Sequence, residues 1–286
     1  GYFASAQGFD KDISLSISEH YLPTGLESRV PKKSFSIALA LTDKIDTLVG
    51  FFGINQKPTS SKDPYALRRS ALGIIRLLLE NKKEFKLSDL INYSISLYKD
   101  QGFKFQNEKI CEELSLFLNE RLKFYMKEKD IRYDIIEASI NSFSIDHASK
   151  MYNKASALNK VIIKSVGSDI ISSYKRASNI LEKELKNKEL DLSNTTDPGI
   201  FKNDYEKNLY KKIHELRKYF TSINKDEDYQ VSLGNLADAK VTIVEFFDNV
   251  IVNDDDQNIK KNRLELLQML CKTFDNYINF SNIESI

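Results

Sequence analysis

Apolar residues recur every three to four positions along most of the chain, and this period predicts helices rather than strands. From Ser34 to Ile54 the residues Phe35, Ala38, Leu39, Leu41, Ile45, Leu48, Val49 and Phe52 make one face, with Asp43, Lys44 and Asp46 as polar positions in mid-helix. The stretch Gly53 to Lys62, GINQKPTSSK, reads as a loop. Asp63 and Pro64 then predict a helix start, because Asp accepts from free amides and Pro fits the first turn without losing a hydrogen bond. That helix, expected over Pro64 to Glu80, buries Leu67, Ala71, Ile74, Ile75 and Leu78, and Arg69 and Arg76, seven apart, fall on one face. Further helices are expected at Leu87 to Lys99, Gln106 to Lys127, Asp134 to Asn141, Ala148 to Gly167, Ile170 to Lys188, Asp204 to Phe220, Val231 to Val252 and Asp256 to Phe280. Between two of them, LSNTTDPG at 192–199 reads as a polar linker.

A content of only 10 Gly and 5 Pro in 286 residues supports an all-α chain, since all-β folds need many turns. The length suffices for two cores, and the polar cluster Lys99, Asp100, Gln101, Gly102 is the expected boundary: one helical unit over 1–102 and a second over 103–286. No apolar run approaches the ~20 residues of a membrane span and no leader pattern opens the chain, so the expected compartment is the cytoplasm. Cys111 and Cys271 are too few for a disulfide framework and are expected to be reduced and buried. A first residue of Gly rather than Met suggests a piece of a longer protein.

The net charge of +1 conceals two basic stretches. Between Phe51 and Lys86, eight basic residues (Lys57, Lys62, Arg68, Arg69, Arg76, Lys82, Lys83, Lys86) face three acidic ones. Between Lys150 and Arg176, six basic residues (Lys150, Lys154, Lys160, Lys164, Lys175, Arg176) face Asp169 alone. A charge run is ordinarily a solvated helix face; two in a nearly neutral chain also suit contacts with phosphates. His20, His147 and His214 lie apart, as surface or capping residues, and no nucleophile, base or phosphate-loop pattern is present.

The string KPTSSKDPYALRR at Lys57 to Arg69, preceded by ALTDKIDTLVGFF at Ala40 to Phe52, resembles a signature block of the glycyl-tRNA synthetase β-subunit family, with Ser60 where the family commonly has Gly. GYFAS at the start and EHYLP at Glu19 to Pro23 resemble its upstream region. KRASNIL at Lys175, FFDNVIVN at Phe246 and KNRLELL at Lys261 resemble its C-terminal anticodon-binding domain, a type shared with arginyl-tRNA synthetases.

The resemblance implies an HD-like helical domain followed by an anticodon-binding bundle, and a chain that grips glycine tRNA without catalysing. Activation of glycine with ATP and magnesium would belong to a partner α subunit, and no cofactor, membrane or DNA is expected for this chain. Lys57, Lys62, Arg68, Arg69 and Arg76 are the candidates for the tRNA backbone, with Ser60, Ser61 and the free amides of the following helix as a phosphate cradle. Lys175, Arg176, Asn179, Asn249, Asn262 and Arg263 are the candidates for the anticodon. Two alternatives stand beside this. One is a remnant of an HD-type metal phosphohydrolase, in which Asp43 would be a metal ligand; the chain has no His-Asp pair to complete such a site, which favours a structural Asp43. The other is a helical scaffold that docks the α subunit.

Overall fold

The computed structural model describes all residues except 143, 163, 187–191, 194, 223–227 and 285–286, and the described residues form helices with no strand. The chain divides into two compact units, Gly1–Asp130 with Phe143–Tyr152, and Ile131–Ser142 with Asn153–Ile286.

In the first unit the helices are α1 (Tyr2–Ala6), α2 (Lys11–Glu19), α3 (Ser34–Gly53), α4 (Leu67–Glu80), α5 (Leu87–Asp100) and α6 (Asn107–Lys127), with a 3-10 turn at Ile145–His147. α3 is the hub and packs on α2, α4, α5 and α6. Its buried face carries Ile37, Ala40, Leu41, Lys44, Ile45, Leu48, Val49 and Phe52, while Phe35, Ala38 and Leu39 are exposed. The expected face is therefore rotated in its first two turns, and Lys44, read as a polar interruption, is inside. α4 buries Leu67, Ala71, Ile74, Ile75 and Leu78 as expected. Burying such side chains contributes roughly 1.5–3 kcal/mol each, which is why an amphipathic stripe selects its packing face.

The expected boundary at 102 lies inside this unit. α6 lays Ile110, Leu114, Leu118 and Leu122 into the interior, against α3, α4 and α5. The link at 101–106 is a tight turn, with Gly102 at φ +91 closing α5 through its amide on the Lys99 carbonyl. A polar Gly-containing stretch is compatible with a turn as well as with a linker; the apolar stripe of α6 decides.

α7 (Tyr133–Ile140) opens the second unit, and the division of the chain falls within α8 (Ala148–Val161), after Tyr152. There follow α9 (Ser165–Lys186), α10 (Asp204–Ser222), α11 (Tyr229–Ala237), α12 (Lys240–Asn249) and α13 (Gln257–Asp275), with 3-10 turns at Pro198–Ile200 and Phe280–Asn282. α9 packs on α11, α12 and α13, and α10 on α12 and α13. Ile170, Tyr174, Leu209, Ile213, Phe246, Leu267 and Phe274 are among the core residues.

Two expected helices are divided. Ala148 to Gly167 breaks after Val161, and α9 starts at Ser165 so close to the end of α8 that a Cβ on Gly167 would lie 2.3 Å from the Ile162 Cα. Only glycine leaves room for that corner. Val231 to Val252 divides at Asp238 and Ala239 into α11 and α12. Of the expected Ile170 to Lys188 helix, 187 and 188 lie outside the described residues, as does 194 in the polar linker. Among the described residues no helix is long and apolar enough to cross a membrane.

Candidate nucleic-acid interface

In the first unit the signature block forms a loop and a capped helix start. α4 begins at Leu67, three residues later than expected, because Asp63 caps from a distance: its two carboxylate oxygens accept from the amides of Leu67 (2.8 Å) and Arg68 (2.9 Å). Ala66, at φ +54, makes the bend that brings the carboxylate onto the helix axis. The amides proposed as a phosphate cradle are thus already occupied by an internal anion. Ser60 needs no glycine here, since the Thr59 amide donates to the Lys62 carbonyl and Ser60 is not among the positive-φ residues.

The five backbone candidates separate. Lys62 and Arg69 are exposed and Arg68 is half-buried. Arg68 donates through Nη2 to the Thr59 carbonyl, which ties the loop to α4. Lys57 reaches α6, 2.5 Å from Glu113, and lies over the Phe52 ring at 5.9 Å. Arg76 is buried, 6% exposed, and is committed to Glu80 (2.7 Å) and the Gly25 carbonyl. It is a structural residue and no surface contact: Arg69, two turns earlier on the same side of α4, is exposed, whereas Arg76 is covered where it meets the Gly25 carbonyl. An arginine the motif does not indicate comes close: Arg121 of α6 lies over Phe117 (6.0 Å) and Phe124 (5.7 Å). Burial and the Arg68 charge hold its pKa below the usual arginine value, with Glu120 and Asp63 acting the other way. Exposed Tyr65 stacks on Phe51 at 4.1 Å.

The Asp43 carbonyl accepts from the Thr47 hydroxyl one turn on. Next to it the Lys44 ammonium donates to the carbonyls of His20 (3.2 Å) and Tyr21 (3.1 Å). Burial lowers its pKa to about 8, opposed by Asp43. A cation of the protein itself occupies the inner side of this helix, and among the described residues no group of three or more His, Cys, Asp or Glu has the geometry to hold a metal.

In the second unit the structure brings some of the anticodon candidates together and removes others. Lys175, Arg176 and Asn179 share the outer side of α9. The Arg176 guanidinium stacks on Phe247 of α12 at 4.4 Å and lies 3.7 Å from Asp248, both partners half open to solvent. Lys175 reaches the Ser281 carbonyl at 3.3 Å. Asn249, exposed at the end of α12, donates to the Glu245 carbonyl one turn back. Asn262 and Arg263 are corrections. Asn262, 4% exposed, accepts from the Asp197 amide (2.7 Å) and donates to the Asp197 carbonyl (3.0 Å). Arg263, 5% exposed, pairs with Glu206 (2.6 Å), Asp254 (2.6 Å) and the Ile251 carbonyl (2.8 Å). Both point inward from α13 and fasten neighbouring segments, a geometry that buried polar groups require.

The second basic stretch is likewise thinned. Lys154 is 1% exposed, donates to the Asn276 carbonyl and lies 4.8 Å from the Tyr277 ring centroid. Of the cysteines, Cys271 is buried and Cys111 half-buried, and both are free thiols. The histidines are where expected: His20 ends α2 with Nδ1 2.7 Å from the Ile17 carbonyl, and His147 and His214 are exposed. The sequence gives no sign that Phe247 lies beneath the Arg176 guanidinium. Also missed was a cleft of 740 Å³ lined by Phe201 and Lys202 on one side and by Asn258 and Lys261 of α13 on the other, among others.

Residues 1–141 match the family described as glycyl-tRNA synthetase beta subunit, and residues 170–286 match the DALR anticodon binding domain. The glycine–tRNA ligase beta subunits of Rickettsia africae and Rickettsia conorii are each 38% identical over 282 residues, which is 99% of this chain and 40% of those proteins. That of Rickettsia prowazekii is 36% identical with the same coverage. The chain therefore spans about two fifths of the length of these relatives. Similarity along nearly its whole length, with one family match over residues 1–141 and the other over 170–286, means that the chain belongs to the glycyl-tRNA synthetase β-subunit family and corresponds to a C-terminal part of such a subunit.

Proposed function

We propose that this chain binds glycine tRNA as part of a two-subunit glycine–tRNA ligase, acting in the cytoplasm beside an α subunit that carries out the ATP-dependent and magnesium-dependent chemistry. The observation that carries this is the α9 and α12 surface: a half-exposed guanidinium stacked on Phe247 beside Asn179, within the segment that matches an anticodon-binding domain. Unstacked RNA bases are read by hydrogen bonds to their edges and by stacking on aromatic or guanidinium planes, and this surface offers both. Asp248 is a weak competitor, since an exposed ion pair at 3.7 Å contributes little. Lys175 and Asn249 flank it as further donors, while Lys62, Arg68 and Arg69 of the first unit serve the RNA backbone.

Titration of labelled glycine tRNA with this chain at several salt concentrations, repeated with changed anticodon bases and with Arg176→Ala, tests the proposal. Binding is expected to fall with salt, to weaken by ~1–3 kcal/mol per changed anticodon base, and to lose that discrimination in the variant. Equal binding of every tRNA, or none, overturns anticodon reading and favours the scaffold alternative, for which capture by the α subunit without tRNA is the positive sign.

A further inference from the structure

The loop at 57–63 is bounded by cations from three elements. Lys57 and Arg121 flank one aromatic pair: Lys57 lies over Phe52, Phe52 packs on Phe117 at 5.3 Å, and Arg121 lies over Phe117 from the next turn of α6. Arg68 enters from α4, held by the Thr59 carbonyl. The anionic groups nearby are committed. Both Asp63 oxygens are on helix amides, and Glu113 is on Lys57. Glu120 is 3.4 Å from Lys123. Arg121 Nε is buried with no hydrogen-bond partner. A buried donor without an acceptor is costly, and the Arg68 charge disfavours that of Arg121, opposed by Glu120 and Asp63.

From this arrangement we infer that Arg68 and Arg121 form a site for one phosphate group, with Arg121 Nε as a donor that is unfilled without it. Phosphate suits the donors because a guanidinium offers parallel N–H groups to two oxygens at once. Exposed Lys62 adds charge at the rim, and Tyr65, stacked on Phe51, provides an aromatic surface on the same loop and helix start. The source of the phosphate, an RNA backbone or free inorganic phosphate, is the part that rests on the tRNA-binding reading.

Side-chain arginine NMR of the whole chain separates the possibilities. Inorganic phosphate and glycine tRNA are titrated separately, with the Arg132 signal as internal control because Arg132 is paired with Asp134 at 2.7 Å. A saturating shift of the Arg121 Nε–H signal with either probe supports the site. In the tRNA arm, Arg121→Gln is expected to weaken binding about tenfold at low salt and to reduce the log–log salt slope by about one, with Arg121→Lys partly restoring the slope. A shift with inorganic phosphate in a chain that binds no tRNA keeps the site and removes the tRNA reading. A shift with tRNA alone assigns the phosphate to the RNA backbone. If neither probe moves the Arg121 signal beyond the control, the site is overturned, whatever the overall affinity for tRNA.

Discussion

Asp275, at the end of α13, has one carboxylate oxygen on the Phe280 amide (3.0 Å) and the other on the Tyr174 hydroxyl (3.3 Å). Burial raises its pKa to about 6, against the lowering effect of those two donors. The same surroundings push the Cys271 thiol up to about 12. A folded-state pKa above the unfolded value means that the folded form holds more protons between about pH 4 and 6, so this group makes the fold less stable as pH rises through that window. Asp275→Asn keeps an acceptor for Phe280 and removes the buried charge. It is expected to stabilise the second unit by about 1–2 kcal/mol at pH 7.5, after discounting the part that solvent screens, with the gain vanishing near pH 4. Urea denaturation at both pH values measures this; no gain at pH 7.5 would mean that the two hydrogen bonds outweigh the burial.

At the level of elements, helix ends and corners are set by single residues acting across short distances. The α10 start is a capping box: the Asn203 side chain accepts from the Glu206 amide at 3.1 Å while Glu206 accepts from the Lys202 and Asn203 amides. α4 has a longer version, with Asp63 reaching over Pro64 and the bent Ala66 to its first two amides. Asp63→Ala is expected to lower stability by about 1–2 kcal/mol, and Asp63→Asn, which keeps an acceptor, to lose less. Thermal unfolding of the pair checks it, and an alanine variant as stable as the parent would remove the capping role. The sequence pair Asp63-Pro64 announced a helix start but not its place, because an acceptor can cap from several residues away once the backbone bends back.

For the whole molecule, each unit is closed by buried charge as well as by apolar packing. In the second unit Arg263 joins α13 to the Glu206 cap of α10 and to the 251–254 loop, while Glu265 accepts from the Ser193 amide (2.8 Å) and hydroxyl (2.6 Å). Removing one member of such a pair leaves the other charge buried. Arg263→Ala is therefore expected to cost about 3–5 kcal/mol, and adding Glu206→Gln to recover part of it. Hydrogen exchange would show the loss in α10 and α13; unchanged protection there would refute the linkage. Most helices from Ser34 onward, the buried stripe of α4, the all-α class and the family were legible in the sequence, because they rest on periodicity and on a dense local string; α1, α2 and the break between α11 and α12 were not. What lay beyond it was which charges are inside. Lys44, Arg76, Lys154 and Arg263 carry the same sign as surface residues, and the carbonyls and carboxylates that meet them, most of them from distant segments, decide that they are buried. The candidate interface that remains, Arg176 on Phe247 and Arg68 near Arg121, likewise pairs residues from separate helices: the sequence determined the donors, and tertiary packing decided which of them still face outward, since a polar group is available to a ligand only where the fold has not already satisfied it.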